Sequence, residues 1–338
     1  MNKINMRSWM QSVISGKKRL AIPIMTHPGI EMLGKTVLEA VSDGKVHFEA
    51  IKALDQKFPS AAYTSIMDLT VEAEAFGATV NFPENDVPHV VGRLVSDMES
   101  VEKLQVPDLT AGRVPQYILA NRLTVEYSKD KPVFGGIIGP FSLAGRLYDI
   151  SELMIACYCE YDIVELLLKK CTEFLKNYCL ELKNHDINGV IIAEPASGLL
   201  SNSDCSEFSS QYIKQIVETV QDDNFMVVLH NCGNTGHCTV AMLETKACGY
   251  HFGNKIDMVK ALNDCPQNVL VMGNLDPVNT FKSGTPEEIR STVLELLNAT
   301  SNYPNYILSS GCDVPAHVPI KNIEAFYGVL EEYNNLLK

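Results

Sequence analysis

The sequence predicts an α/β fold, a (β/α)8 TIM barrel built by residues 1–338 as a single domain. Three observations point there. Short apolar, β-branched runs alternate with amphipathic helical patterns, which implies parallel strands with helices outside them. Two of the runs, 190–193 and 226–229, are almost wholly apolar, as strands covered on both faces are. Eight such runs follow one another with no Gly-, Pro- or Ser-rich linker, no low-complexity tract and no repeat of fixed period.

In chain order, strands are expected at 20–25, 63–67, 132–138, 189–193, 225–229, 249–252, 268–272 and 306–309. Helical periodicity covers 47–57, 115–128, 163–183, 206–220, 236–244, 286–298 and 320–336. The helix at 286 has the clearest start: Thr285-Pro286-Glu287-Glu288 places Pro early and acids in the first turn. Residues 70–115 fit the alternation poorly and read as an excursion on the barrel rim, with a small hairpin around 79–90.

Composition narrows the function classes. The chain carries 28 Lys and Arg against 41 Asp and Glu, a formal charge of −13, which argues against nucleic acid or an anionic membrane as partner. The N-terminal stretch MNKINMRSWMQSVISGKKRLAIPIM has no uninterrupted apolar core followed by a cleavage site. No apolar run approaches the roughly 20 residues that span a bilayer, so the expected location is cytoplasmic. The ten cysteines are then expected as thiols. Cys157, Cys159, Cys171 and Cys179 lie in a helical, apolar-periodic stretch and read as small core residues.

Other cysteines stand where chemistry is expected. The run Val227-Val228-Leu229-His230-Asn231-Cys232-Gly233 ends an apolar strand in His-x-Cys, and a second strand ends in Ser310-Gly311-Cys312. Side chains at the C-terminal ends of barrel strands line the active site. Residues i and i+2 there point to one side, so His230 and Cys232 reach one ion. Adding Cys312 from across the barrel mouth gives three zinc-type ligands and one open position, the pattern of a catalytic rather than a structural zinc. A thiol that enters that position loses its proton and becomes a nucleophile at neutral pH. A local set of His230, Cys232, His237 and Cys238 competes. It ranks lower because four close ligands make a closed site.

Further candidates also sit at strand ends. Glu194, in Ala193-Glu194-Pro195, offers a fourth zinc ligand or a general acid/base, or a carboxylate held by loop amides. Asn274 and Asp276, in Gly273-Asn274-Leu275-Asp276-Pro277, offer partners that orient His230 or contact substrate; an Asx turn is the plain alternative. Asp68 closes the second strand and is treated the same way.

These stretches together carry a resemblance. MDLTVEAEAFGA (67–78), GPFSLAGRL (139–147), EPASGLLS (194–201), LHNCGNT (229–235), GNLDP (273–277) and SGCDVPAHVPIKNIEAF (310–326) resemble the uroporphyrinogen decarboxylase superfamily. The resemblance spans nearly the whole chain and implies a (β/α)8 barrel. The decarboxylase branch carries an arginine-rich Met-Arg-Gln-Ala-Gly-Arg loop that grips substrate carboxylates. Met25-Thr26-His27-Pro28-Gly29 stands there instead, without arginine. That branch's catalytic Asp matches Asp68, its active-site Tyr falls on Arg146, and the His of its last strand falls on Cys312.

The cobalamin-dependent methyltransferase branch, the methylcobalamin:coenzyme M type, fits better. Its zinc motif matches His230, Cys232 and Cys312. Val318 departs from the Thr usual before Pro319, and Glu194 stands where relatives often carry Asp. The resemblance implies zinc as cofactor and a methyl-corrinoid as co-substrate, carried on a partner corrinoid protein. It further implies a small thiol as methyl acceptor or donor. Glu194, Asp68 and Asp276 are then the expected catalytic residues, and Asn274 and Arg146 the cofactor-binding ones. A cofactor-free uroporphyrinogen decarboxylase and a non-catalytic corrinoid- or metal-binding module stay open as alternatives.

Overall fold

The computed structural model describes residues 4–337. Its frame is a parallel sheet of seven strands, hydrogen-bonded in the order β1 (Tyr63–Thr64), β4 (Val133–Ile138), β5 (Gly189–Ala193), β6 (Met226–Asn231), β7 (Gly249–Phe252), β8 (Leu270–Leu275), β9 (Tyr306–Ser310). A separate antiparallel pair, β2 (Val80–Asn81) with β3 (His89–Val90), is the hairpin expected on the rim.

The strands are parallel because each returns through a helix, and they are apolar because helices cover the sheet. Every residue of β5 and β6 is buried. Long helices pack outside: Val114–Tyr127, Tyr161–Asn184, Pro286–Ala299 and Ile320–Leu336. The Tyr161–Asn184 helix turns Leu167, Leu168, Cys171, Phe174, Leu175 and Tyr178 inward, an apolar stripe at helical spacing. Cys157, Cys171 and Cys179 are core residues as expected, whereas Cys159 is exposed near the end of its helix.

The first expected strand, 20–25, forms no ladder strand. Its strand pairing is a single parallel bridge of Ala21 to Leu308, flanked by Ile22 N to Leu308 O (2.9 Å) and Leu308 N to Leu20 O (3.0 Å). On its other side Ala61 N donates to Ala21 O at 2.9 Å. Pro23 has no N–H to extend the ladder. The segment therefore lies between β9 and β1 without pairing regularly with either. Shorter helices escaped the periodicity reading, among them Met6–Ser15, Pro140–Tyr148 and Met258–Asp264. No helix among the described residues is long and apolar enough to cross a membrane.

Candidate metal and substrate site

The C-terminal ends of β5, β6 and β9 open into one cavity of 280 Å³. Ala193 stands at the end of β5, His230 near the end of β6, Cys232 just past it, and Cys312 two residues beyond β9. One ligand atom each from His230, Cys232 and Cys312 lie within 4.8 Å of one another. Among the described residues no other group of His, Cys, Asp or Glu gathers in this way. The competing local set is not assembled. His237 bonds Thr235, and the buried Cys238 thiol donates to the carbonyls of Ser197 and Leu200.

Backbone fit holds the cluster. Gly311 sets the turn before Cys312, and a Cβ there would stand 2.6 Å from the Asn254 nitrogen. The two thiols act on each other: the hydrogen bond with Cys312 draws the Cys232 thiol down to about 7, and its counterpart holds Cys312 up.

A relay of hydrogen bonds decides which nitrogen of His230 faces the cluster. The Ile22 carbonyl only accepts, so the Ser309 hydroxyl donates to it, at 2.7 Å. Ser309 Oγ then accepts from His251 Nε2 at 2.8 Å. Burial keeps the His251 ring neutral, its pKa far below the ordinary value, so Nδ1 of His251 is a lone pair. His230 Nδ1 lies 2.8 Å from that lone pair and 3.2 Å from the His251 carbonyl, and must carry the proton. His230 Nε2 is left as a lone pair, buried and without a hydrogen-bond partner. An imidazole lone pair beside two thiols is a soft donor set that suits zinc, so the residues present fit the metal.

The sequence reading missed His251 and Ser309. A histidine inside the apolar strand 249–252 was the available signal. It also missed two other cavity residues, His27 and Asp313. His27 Nε2 lies 3.6 Å from Asp313 Oδ2, which also accepts from Met67 N at 3.2 Å. His27 Nδ1 and Asp313 Oδ1 are buried and unpartnered. Burial raises the Asp313 carboxyl.

The remaining expected site residues are not among those lining this cavity. Glu194 is buried beside it, and its oxygens accept from Phe141 N and Ser142 N, both at 2.8 Å, and from the Ser209 hydroxyl at 3.0 Å. Burial raises its pKa against these donors. Asp68 is buried and takes Arg113, Tyr117 at 3.0 Å, and both the amide and hydroxyl of Thr70. Asp276 caps the helical turn Pro277–Lys282 through the amides of Val278 and Asn279 and accepts from Asn254. Asn274 donates to the carbonyls of Gly253 and Ile256 rather than to His230. Arg146 lines a neighbouring cavity that shares Leu69 and Pro195 with this one.

Fold and site together define an α/β protein with one imidazole and two thiols gathered at the ends of parallel strands. The chain belongs to the uroporphyrinogen decarboxylase (URO-D) family, whose model matches residues 18–333. Among its relatives, the methylcobamide:CoM methyltransferase MtbA of Methanosarcina acetivorans is 29% identical over 270 residues, 79% of this chain and 78% of that one. A uroporphyrinogen decarboxylase of Legionella pneumophila is 25% identical over 279 residues, again 79% and 78% of the two chains. In fold, the chain is similar to a methyltransferase from Methanosarcina mazei, with a TM-score of 0.88 over 98% of this chain and 99% of that one, at 21% identity.

Proposed function

We propose that this protein is a zinc-dependent methyltransferase that moves a methyl group between a methyl-corrinoid and a small thiol. The observation that carries the reading is the convergence of His230, Cys232 and Cys312 in the cavity lining, with His230 Nε2 buried and without a hydrogen-bond partner. The similarity to methylcobamide:CoM methyltransferases supports it. Zinc held by these three residues would supply the charge that keeps a substrate thiol deprotonated at neutral pH.

The chain's own residues do the rest. His251 and Ser309 hold His230 in the donating tautomer. Met67, Leu69, Pro195 and Pro315 form an apolar wall that excludes water from the nucleophile and fixes its approach. Asp68 and Glu194, each fully engaged, hold the strand ends on which the site is built, and Asp276 and Asn274 hold the loop after β8 against residues 253–256. Arg146, in the lining of the neighbouring cavity, would meet an acidic group of the corrinoid or of the protein that carries it.

The same reading takes the segment 20–25 as the eighth member that closes the sheet into one barrel domain, with hydrogen bonds to both β9 and the residues before β1 in support. The ten free thiols suit a reducing cytoplasm. Decarboxylation is the poorer reading: neither residues 25–29 nor the cavity lining contains an arginine to pair substrate carboxylates.

The test is spectroscopic. Zinc-loaded protein mixed with methylcobalamin and 2-mercaptoethanol should bleach the methylcobalamin spectrum, and Cys232→Ala should slow this by about 100-fold or more. Coproporphyrinogen formed from uroporphyrinogen, with no demethylation of methylcobalamin by any thiol, would overturn the reading.

A further inference from the structure

We infer that the rim hairpin, residues 79–91, is a lid that swings on Gly77 and Gly92 and lifts to let a methyl-corrinoid reach the donor cluster. The inference rests on the methyl-transfer reading above. In-line transfer puts the methyl carbon against the nucleophilic sulfur. The cavity of 280 Å³ holds a small thiol but not a corrin macrocycle with its side chains. Part of the wall therefore has to move before the two reactants meet.

Most of the wall is fixed. Ala193 and His230 belong to strands that are buried throughout. Beyond Pro195 the chain is pinned by Ala196 N, which donates to the Ser142 hydroxyl at 3.1 Å. The segment after β9 is tied down by Val314 N to Ile24 O at 2.9 Å and by His317 N to the Glu31 carboxylate at 2.6 Å. Asp86 and Val87, which also line the cavity, sit instead at the tip of the hairpin. Its ladder is two residue pairs long, Val80 with Val90 and Asn81 with His89. Only Pro88 among residues 79–91 is buried. The hairpin's hydrogen bonds close on itself, as Val91 N to Thr79 O does at 2.8 Å. Among the described residues a single one leaves it: Leu38 N donates to Glu84 O at 3.0 Å. The other latch is the Phe82 ring, whose centroid lies 4.7 Å from the Arg113 guanidinium. Few buried contacts and exposed backbone mark a segment that opens without the rest of the fold.

The two ends of the hairpin are built to turn. Gly77 has φ +101° and Gly92 φ +71°, and a Cβ added at either would meet nothing within 4 Å. Glycine stands there for its backbone freedom rather than for close packing, and no neighbour resists a rotation. The hairpin also borders the Arg146 cavity, through Val90 and, at its hinge, Gly92. That cavity shares Leu69 and Pro195 with the one that holds the donor cluster. Lifting the hairpin unroofs both and joins them into one cleft, with the three donor residues at one end and Arg146 at the other.

Hydrogen exchange and two methyl donors of different size test this. The Leu38 amide lies in the first turn of the helix Val37–Ser42, where no helical carbonyl accepts it, so its protection reports the bond to Glu84 O. In the zinc-loaded protein it should exchange at least about 100-fold faster than the amides of β5 and β6. Phe82→Ala, which removes one latch, should speed it by a further threefold or so. With 2-mercaptoethanol as the thiol, the same variant should raise kcat/KM for methylcobalamin by about threefold, because more of the protein is open. Zinc-dependent methylation by methyl iodide, which passes the closed hairpin, should be unchanged. A Leu38 amide as slow as those of the sheet, or a variant that shifts both donors equally, sinks the lid while the methyl-transfer reading stands. If the wild-type protein takes a methyl from neither donor, that reading falls and the lid with it.

Discussion

At the residue scale, the protonation of two buried side chains shapes the protein, one for the site and one for stability. His251 accepts from His230 and passes its own N–H to Ser309, which leaves His230 Nε2 free. Replacing the ring removes that constraint. His251→Leu should weaken zinc binding by about 10–100-fold in a chelator competition. An unchanged affinity would show that the His251 carbonyl alone orients His230. Glu72 is the second case. Burial pushes its carboxyl up to about 7, against the amide of Ile138 that donates to it at 3.0 Å. Its folded pKa lies above the unfolded one, so the fold binds that proton more tightly. The stability it contributes is present at low pH and is lost as pH rises from about 4.5 through about 7. Glu72→Gln should therefore be more stable than wild type at pH 8 by about 3 kcal/mol, and equal to it near pH 4.5, in denaturant unfolding. An identical difference at both pH values would mean that Glu72 is not the source. The three converging residues were legible in the sequence because His-x-Cys and Gly-Cys each end an apolar run. His251 was not, because nothing in one sequence reports which side chain lies across a neighbouring strand.

At the element scale, the start of the helix Pro286–Ala299 was read to the residue, and the strand expected at 20–25 was not found as a ladder. Thr285 accepts from Glu288 N at 3.2 Å while Glu288 accepts from Thr285 N at 2.7 Å, a reciprocal cap at the helix start that the early Pro and first-turn acids marked. Thr285→Ala should cost about 1 kcal/mol in unfolding free energy and leave metal content unchanged. A loss of metal with it would mean that this helix is coupled to the cavity. Strands 189–193 and 249–252 were placed to the residue, because their apolar runs end abruptly at turn or polar residues. Residues 20–25 look equally strand-like, yet Pro23 leaves them one bridge. The helix Pro140–Tyr148 was missed because eight of its nine residues are buried, so it shows no polar face to mark a period. That helix matters: its first amides hold Glu194 and so tie β5 to the wall of the site.

At the scale of the whole molecule, the order of strands decides what chemistry is within reach. His230 lies near the end of β6, and Cys312 follows β9, more than 80 residues later in the chain. Only a parallel sheet whose C-terminal ends face one cavity brings them to within 4.8 Å. The alternation of runs made that sheet legible. The hydrogen bonds that residues 20–25 make at its two edges were not, because they leave no periodic trace. All of this turns on whether the three converging side chains bind zinc. The most direct measurement is the metal content of the purified protein, wild type beside Cys312→Ala, with thermal melts to confirm that both are folded. About one zinc per chain in wild type, lost in the folded variant, is the predicted result. No zinc in wild-type protein prepared without chelator and supplied with the metal, or equal zinc in both proteins, would contradict the account.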